Sequence, residues 1–219
     1  MATRDLLAEI TGPGAEGVLA NLDIESAGGL DVARRVREGE VADIVILASG
    51  AIAALEAEGL VTDPAPFVVS EVVLAVPTGS PRLDISTEVA LRQTLVAAGP
   101  IGYSTGPSGD AFLALLDGWG LRDTLSDRLV QAPVGVSVGR LLTEGTVVIG
   151  LQQRPELTGI RGVDIVGPLP PQCAVRTTFT GALLTTSRQP DLAHEALLAL
   201  SPRALHHVMH RHGLAPATR

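Results

Sequence analysis

The chain has 219 residues, 46% of them apolar, which is enough to bury a substantial core as one domain or as two small lobes, and a formal charge of −8. Its cations are all arginine and form no basic run, and aromatics make up only 2%, so there is neither a phosphate-tracking face nor a base-stacking platform, and nucleic acid is excluded as a partner. No apolar stretch reaches the eighteen or so residues that a spanning helix requires, which excludes membrane insertion by a helix.

Apolar spacing and β-branched runs predict the following elements in chain order. A helix over 3–10 is followed by a strand LDIES (22–26), a helix over 30–36, a strand ADIVILA (42–48) and a helix over 51–57. The long strand VVSEVVLAVP (68–77) leads to a helix over 87–97, a short strand IGY ending at Tyr103, and a helix over 111–119. Then come RLVQAP (128–133), a helix over 138–143, TVVIGLQ (146–152), VDIVG (163–167), and a second long strand VRTTFTGALLTT (175–186). Helices over 192–200 and 202–212 end the chain. Strand alternating with helix predicts an α/β fold with mainly parallel sheet and helices on both faces. The two long strands bracket a middle block, so the expected organisation is two lobes, 1–77 with 175–219 and 78–174, joined by two hinge strands. A ligand would sit in the cleft at strand C-termini and helix N-termini.

The most informative segment is Ile101-Gly102-Tyr103-Ser104-Thr105-Gly106-Pro107-Ser108-Gly109-Asp110, a strand that passes through small hydroxylated residues straight into a helix. Pro107 suits a first helical turn, and the unpaired N–H groups beside Ser104, Thr105 and Ser108 suit an anion, although an ordinary capped turn has the same composition. Glu25-Ser26-Ala27-Gly28-Gly29 is a second turn of this kind, and Gly135-Val136-Ser137-Val138 a third. In Gly150-Leu151-Gln152-Gln153-Arg154-Pro155-Glu156-Leu157, two amides and a guanidinium stand at a strand end, where they suit a carboxylate or simply face solvent.

Three other patterns carry less. Gly12-Pro13-Gly14-Ala15-Glu16-Gly17 fits GxGxxG, but no strand precedes it and no good helix follows, so it reads as a loop. His206, His207, His210 and His212 cluster near the end of the last helix, where histidines complement a helix C-terminus, and no metal is expected. Ser49 lacks the glycine two residues before it that a nucleophile elbow needs. Cys173 has no second cysteine to pair with and reads as a small apolar residue.

Taken in order, ESAGGLDVARRVREGEVADIVILASGAIAALEAEGLV, VVLAVPTGSP, IGYSTGPSGDAFLALLDGWGLRDTLSDRLVQ, VGPLPPQ and TGALLTTSRQPDLAHEALLALSP resemble the molybdate-binding, ModA-like branch of type II periplasmic-binding proteins over nearly the whole chain. The resemblance implies an oxyanion held by serine and backbone N–H groups from both lobes. By position these fall on Ser26, Ala27 and Gly28, on the loop Ser104 to Gly109 with Thr105, Gly106 and Ser108, and on Ser137 and Val138; Tyr103, just before that loop, joins the candidate set by its place in the chain. The family's serine pair is Ser26-Ala27 here, and its binding tyrosine is replaced by Gln153, followed by Arg154. The run Gln152-Gln153-Arg154-Pro155-Glu156-Leu157 resembles a subgroup related to aconitate isomerase, for which organic acids are the expected ligands. Met1-Ala2-Thr3-Arg4 stands where the first turn of the family ends. This puts Thr3 in the donor set and implies that the first strand of lobe one is missing, or lies upstream of the chain as written.

The expected function is therefore a binding protein of the ABC-transporter solute-receptor type that closes on a small oxyanion or carboxylate without a cofactor. The alternative is a cofactor-free isomerase of a polycarboxylic acid such as aconitate, with Tyr103, Asp110 and Glu156 as candidate acid/base groups. The N-terminus lacks the pattern of a secretory signal. The expected location is thus cytoplasmic as written, or extracytoplasmic, with an ABC permease as partner, if the true start lies upstream.

Overall fold

The computed structural model describes residues 2–200 and 202–217. In chain order it runs α1 (Arg4–Ile10), α2 (Gly29–Arg37), β1 (Ile44–Ala48), α3 (Ser49–Ala57) and β2 (Val61–Pro77), then α4 (Glu88–Ala97), β3 (Ile101–Tyr103), α5 (Pro107–Gly118) and α6 (Arg122–Leu125). There follow β4 (Leu129–Gln131), α7 (Val138–Thr143), β5 (Ile149–Gln153), α8 (Arg154–Leu157), β6 (Val163–Pro168), β7 (Arg176–Leu184), α9 (Pro190–Ala199), α10 (Pro202–Arg211) and β8 (Ala215–Pro216). The chain divides into two compact units, residues 1–70 with 177–219 and residues 71–176, and β2 carries the chain from the first to the second. Among the described residues no helix is long and apolar enough to cross a membrane.

In the first unit, β1 pairs antiparallel with β7 from Ile44↔Leu183 to Ala48↔Phe179, and β2 pairs antiparallel with β8 at Val68↔Pro216. Ala33 and Val36 turn one face of α2 inward, while Ile52 and Leu55 do the same for α3 at a spacing of three, so both helices pack on Val45, Leu47, Val61, Ala182 and Leu184. A separate cluster joins Leu6, Leu7 and Ile10 of α1 to Phe67, Val68, Leu205 and Met209.

The second unit shows why Val72-Val73-Leu74-Ala75-Val76 contains no polar residue. Val72, Leu74 and Val76 enter a core with Leu91 and Leu95 of α4 and Phe112 and Leu116 of α5, whereas Val73 and Ala75 enter another with Val138, Leu141 and Leu142 of α7 and Leu157 of α8. A strand covered on both faces must be apolar at every position, and period-two alternation sends successive residues to opposite cores. β2 lies between β5 (Val73↔Gln152) and β6 (Val73↔Pro168), antiparallel to both, while β3 lies parallel between β4 (Tyr103↔Gln131) and β5 (Tyr103↔Leu151).

The expectation of mainly parallel sheet is therefore corrected. The β3–β4 and β3–β5 pairings are parallel, but β1–β7, β2–β5, β2–β6 and β2–β8 are antiparallel, because the long strands run against their neighbours. LDIES is not a strand: Leu22 is extended and burial alternates from Leu22 to Ser26, but the segment joins no ladder among the described residues. The helix expected from residue 111 begins at Pro107, one turn earlier. The strand expected over 68–77 begins at Val61.

Candidate functional site

Because β4, β3 and β5 are parallel, their C-terminal ends open on one edge of the second unit's sheet; β3 and β4 are followed by loops that lead to helix starts, and β5 passes directly into α8. The loop after β3 is the most constrained. Gly106 caps α5 with φ 83°, ψ −164°, a conformation that side chains with a Cβ rarely adopt, and Pro107 takes the first helical position. Gly109 lies against the preceding backbone so closely that a Cβ there would be 1.8 Å from the Ser104 carbonyl oxygen. This seats the first turn of α5 on the end of β3 and brings two buried hydroxyls together, Ser104 Oγ and Ser108 Oγ, 2.7 Å apart. The Ser108 and Gly109 amides precede the first helical bond, which the Asp110 N–H donates to Gly106. Thr105 is exposed on the same loop, and the Tyr103 ring is half-buried, 6.2 Å from that of Phe112 and tilted by 48°.

After β4, the Ala132 N–H donates to the Tyr103 carbonyl (2.8 Å), which ties the second loop to the first. Ser137 caps α7, its Oγ accepting from the Arg140 N–H at 3.2 Å. The Val138 N–H donates to Gln152 Oε1 at 2.7 Å, so the α7 amide expected to face an anion is already held by a side chain. Since a backbone N–H can only donate, this bond fixes the Gln152 amide, whose Nε2 in turn donates to Glu156 Oε2. Burial pushes the Glu156 carboxyl above its ordinary range, and the Gln152 hydrogen bond opposes that rise. Gln153 is buried next to Gln152 on the other face of β5, and Arg154, half-buried, opens the single turn of α8.

In the first unit, Ser26 lines a hollow of about 250 Å³ with Arg4, Ala8, Thr11 and Ile24. Arg35 holds the segment before Ser26 by two bonds to Glu25, at 2.6 and 2.8 Å, and also pairs with Glu40. Gly28 caps α2, its carbonyl accepting from the Val32 N–H. Thr3 is buried, and its carbonyl accepts from Leu7. Neither Thr3 nor Gly28 lines the Ser26 hollow. His206 Nε2 and His210 Nε2 lie 3.2 Å apart on an exposed face of α10, and His212 pairs with Glu9.

The structure thus joins Ser104 to Ser108 and ties their loop to the one after β4 through Ala132 and Tyr103, and it joins Val138 to Gln152, whereas Gln153 lies on the other face of β5. What sequence reasoning missed is that Gln152 and Glu156, four residues apart across a strand end and a helical turn, work as one hydrogen-bonded unit with Val138. Pro155 marks that helix start, and the four-residue spacing is the signal that was present.

The family model of the bacterial extracellular solute-binding proteins matches residues 8–214. An aconitate isomerase from a Pseudomonas species is 31% identical over 191 residues, which span 84% of this chain and 71% of that protein. Among solved structures, the periplasmic molybdate-binding protein of Azotobacter vinelandii superposes with a TM-score of 0.75 at 16% identity, covering 99% of this chain and 95% of that one. The sulfate-binding protein of Mycobacterium tuberculosis gives 0.70 at 17% identity, covering 99% and 83%. At these identities the two structures establish a shared fold, and the family match, which spans most of the chain, establishes membership: this chain belongs to the bacterial extracellular solute-binding proteins, with the type II fold of the molybdate-binding proteins.

Proposed function

We propose that the chain is a solute receptor that binds a small oxyanion or carboxylate without a cofactor, and that an ABC permease is its partner where the protein is exported. One observation carries the reading: three parallel strands end on one edge, and there the buried Ser104 and Ser108 hydroxyls stand beside the unbonded first-turn amides of a twelve-residue helix. Such a helix start attracts negative charge through its dipole and its free N–H groups, whatever the net charge of the chain. In the first unit the Ser26 hydroxyl, which lines a hollow with Arg4, is a separate candidate donor, to be tested by Ser26→Ala. Thermal unfolding with molybdate, tungstate, sulfate, citrate and aconitate tests the reading. An anion at a hundred times its dissociation constant adds about 2.7 kcal/mol of stability, and Ser108→Ala weakens that gain. No stabilisation by any of these anions overturns the proposal.

A second reading, an isomerase that moves a proton between carbons of a polycarboxylic acid, is favoured by the 31% identity to aconitate isomerase and by Glu156, a carboxyl that burial makes easier to protonate. Incubation with trans-aconitate, followed by NMR for the cis isomer, tests it. No conversion by a protein that binds the substrate overturns it.

A further inference from the structure

One face of α10 is fixed to the first unit and the other is bare. Leu205 and Met209 are buried in the cluster that holds Leu6, Leu7 and Ile10 of α1 with Phe67 and Val68. The end of the helix is tied to α1 a second time, because Arg211 and His212 both pair with Glu9. His206 and His210 therefore stand, one turn apart, on the exposed side of a helix that is held in place, and their Nε2 atoms face each other at 3.2 Å.

Spacing alone gives this pair no role, since histidines also complement a helix C-terminus. The facing nitrogens add a chemical requirement. Two bare imidazole lone pairs repel at that distance, as do two N–H groups, so a positive centre has to lie between them: one proton, shared as N–H···N, or a metal ion. The separation fits the ion, because imidazoles on a tetrahedral metal at about 2.0–2.1 Å bring their nitrogens to about 3.3 Å, and histidines four residues apart on one helix face reach a common ion. Arg211, next to His210, has its charge offset by Glu9. His207 makes only an edge-to-face ring contact with His206, centroids 5.6 Å apart, and His212 is taken up by Glu9, so among the described residues no third His, Cys, Asp or Glu completes the set. Water fills the remaining positions of such an ion.

We propose that His206 and His210 form a two-histidine chelate for a divalent transition metal, Zn2+ or Cu2+, that clasps the last turns of α10. Imidazole without a carboxylate selects these ions over Mg2+ and Ca2+, which require oxygen ligands. On binding, the proton that bridged the pair moves to Nδ1 of its own ring, each Nε2 gives its lone pair to the metal, and two waters leave the ion. The chelate does not depend on the anion-binding reading.

Calorimetric titration of the full chain with Zn2+ and Cu2+, and with Mg2+ and Ca2+ as controls, tests the proposal. Zn2+ binds, Cu2+ binds more tightly, and the controls do not bind. His206→Ala and His210→Ala each weaken Zn2+ by at least about tenfold, whereas His194→Ala and His207→Ala leave it unchanged. All four side chains are exposed on helices, where alanine is well tolerated, so the variants keep the fold. Zn2+ also slows amide exchange in α10 of the parent and of His207→Ala, but not of His206→Ala, as a clasp between the two rings requires. Failure of Zn2+ and Cu2+ to bind the unaltered protein overturns the proposal. So does Zn2+ affinity that is unchanged in both His206→Ala and His210→Ala, or that is matched by Mg2+.

Discussion

Two glycines of α5 make the same substitution act in opposite directions. An alanine Cβ at Gly109 would stand 1.8 Å from the Ser104 carbonyl oxygen, whereas contacts below 3.0 Å are not found for real Cβ atoms. The obstacle is backbone rather than a side chain that can swing away, so the first turn of α5 must lift off the end of β3. Overpacking of this kind costs about 1–3 kcal/mol, and lifting the turn also separates Ser104 Oγ from Ser108 Oγ, worth about a further 1 kcal/mol, so Gly109→Ala is expected to destabilise by about 3 kcal/mol. Gly118 ends the same helix, is exposed, and has open space where its Cβ would be. There alanine recovers helix propensity, so Gly118→Ala stabilises by about 0.5 kcal/mol. The single tryptophan, Trp119, follows Gly118 directly and packs against the same core, so its fluorescence during urea unfolding reports this unit. With an m-value of roughly 2–3 kcal/mol/M, Gly109→Ala lowers the midpoint by about 1 M or more, and Gly118→Ala raises it slightly. If Gly109→Ala unfolds within about 0.5 kcal/mol of the parent, or if both variants shift the same way, the seating of α5 described above is wrong.

Three further outcomes are expected. Because burial raises the Glu156 carboxyl, the unfolded chain ionises first as pH climbs past the ordinary 4.5, so the contribution of Glu156 is fully present below that pH and is lost as pH rises through the higher folded value. Glu156→Gln should thus be more stable than the parent at pH 7–8, with the gap closing towards pH 4.5, as followed by urea midpoints across that range. Ser70 is wholly buried on β2 and its Oγ finds no hydrogen-bond partner among the described residues, so Ser70→Ala should stabilise by about 1 kcal/mol in the same assay. Arg35 joins Glu25 to Glu40 near the surface; Arg35→Met should cost less than about 1 kcal/mol overall but speed amide exchange across residues 22–28, which no ladder holds among the described residues.

What the sequence revealed and what it withheld separate along a physical line. Val72 to Val76 read as part of a long strand because the run is apolar throughout and mostly β-branched, and the turn into α5 read as a helix start because Pro107 suits a first helical turn after small hydroxylated residues. Both are constraints that a residue feels from its own backbone. Strand direction is not of that kind: β2 and β5 are antiparallel by a pairing between residues about eighty positions apart, and nothing in the alternation of either strand says which way its neighbour runs. LDIES fails for the same reason, since its alternation from Leu22 to Ser26 is that of a strand and only the partner is lacking among the described residues. The candidate site divides in the same way. Ser104, Ser108 and the α5 amides could be found because one loop supplies them all, but the Val138 amide looked like an equal donor until Gln152, fourteen residues on, took its hydrogen bond. A helix start is an anion site only while its amides are unclaimed. The sequence can therefore nominate such a site, but only the hydrogen-bond partners of its donors show which of them are still open.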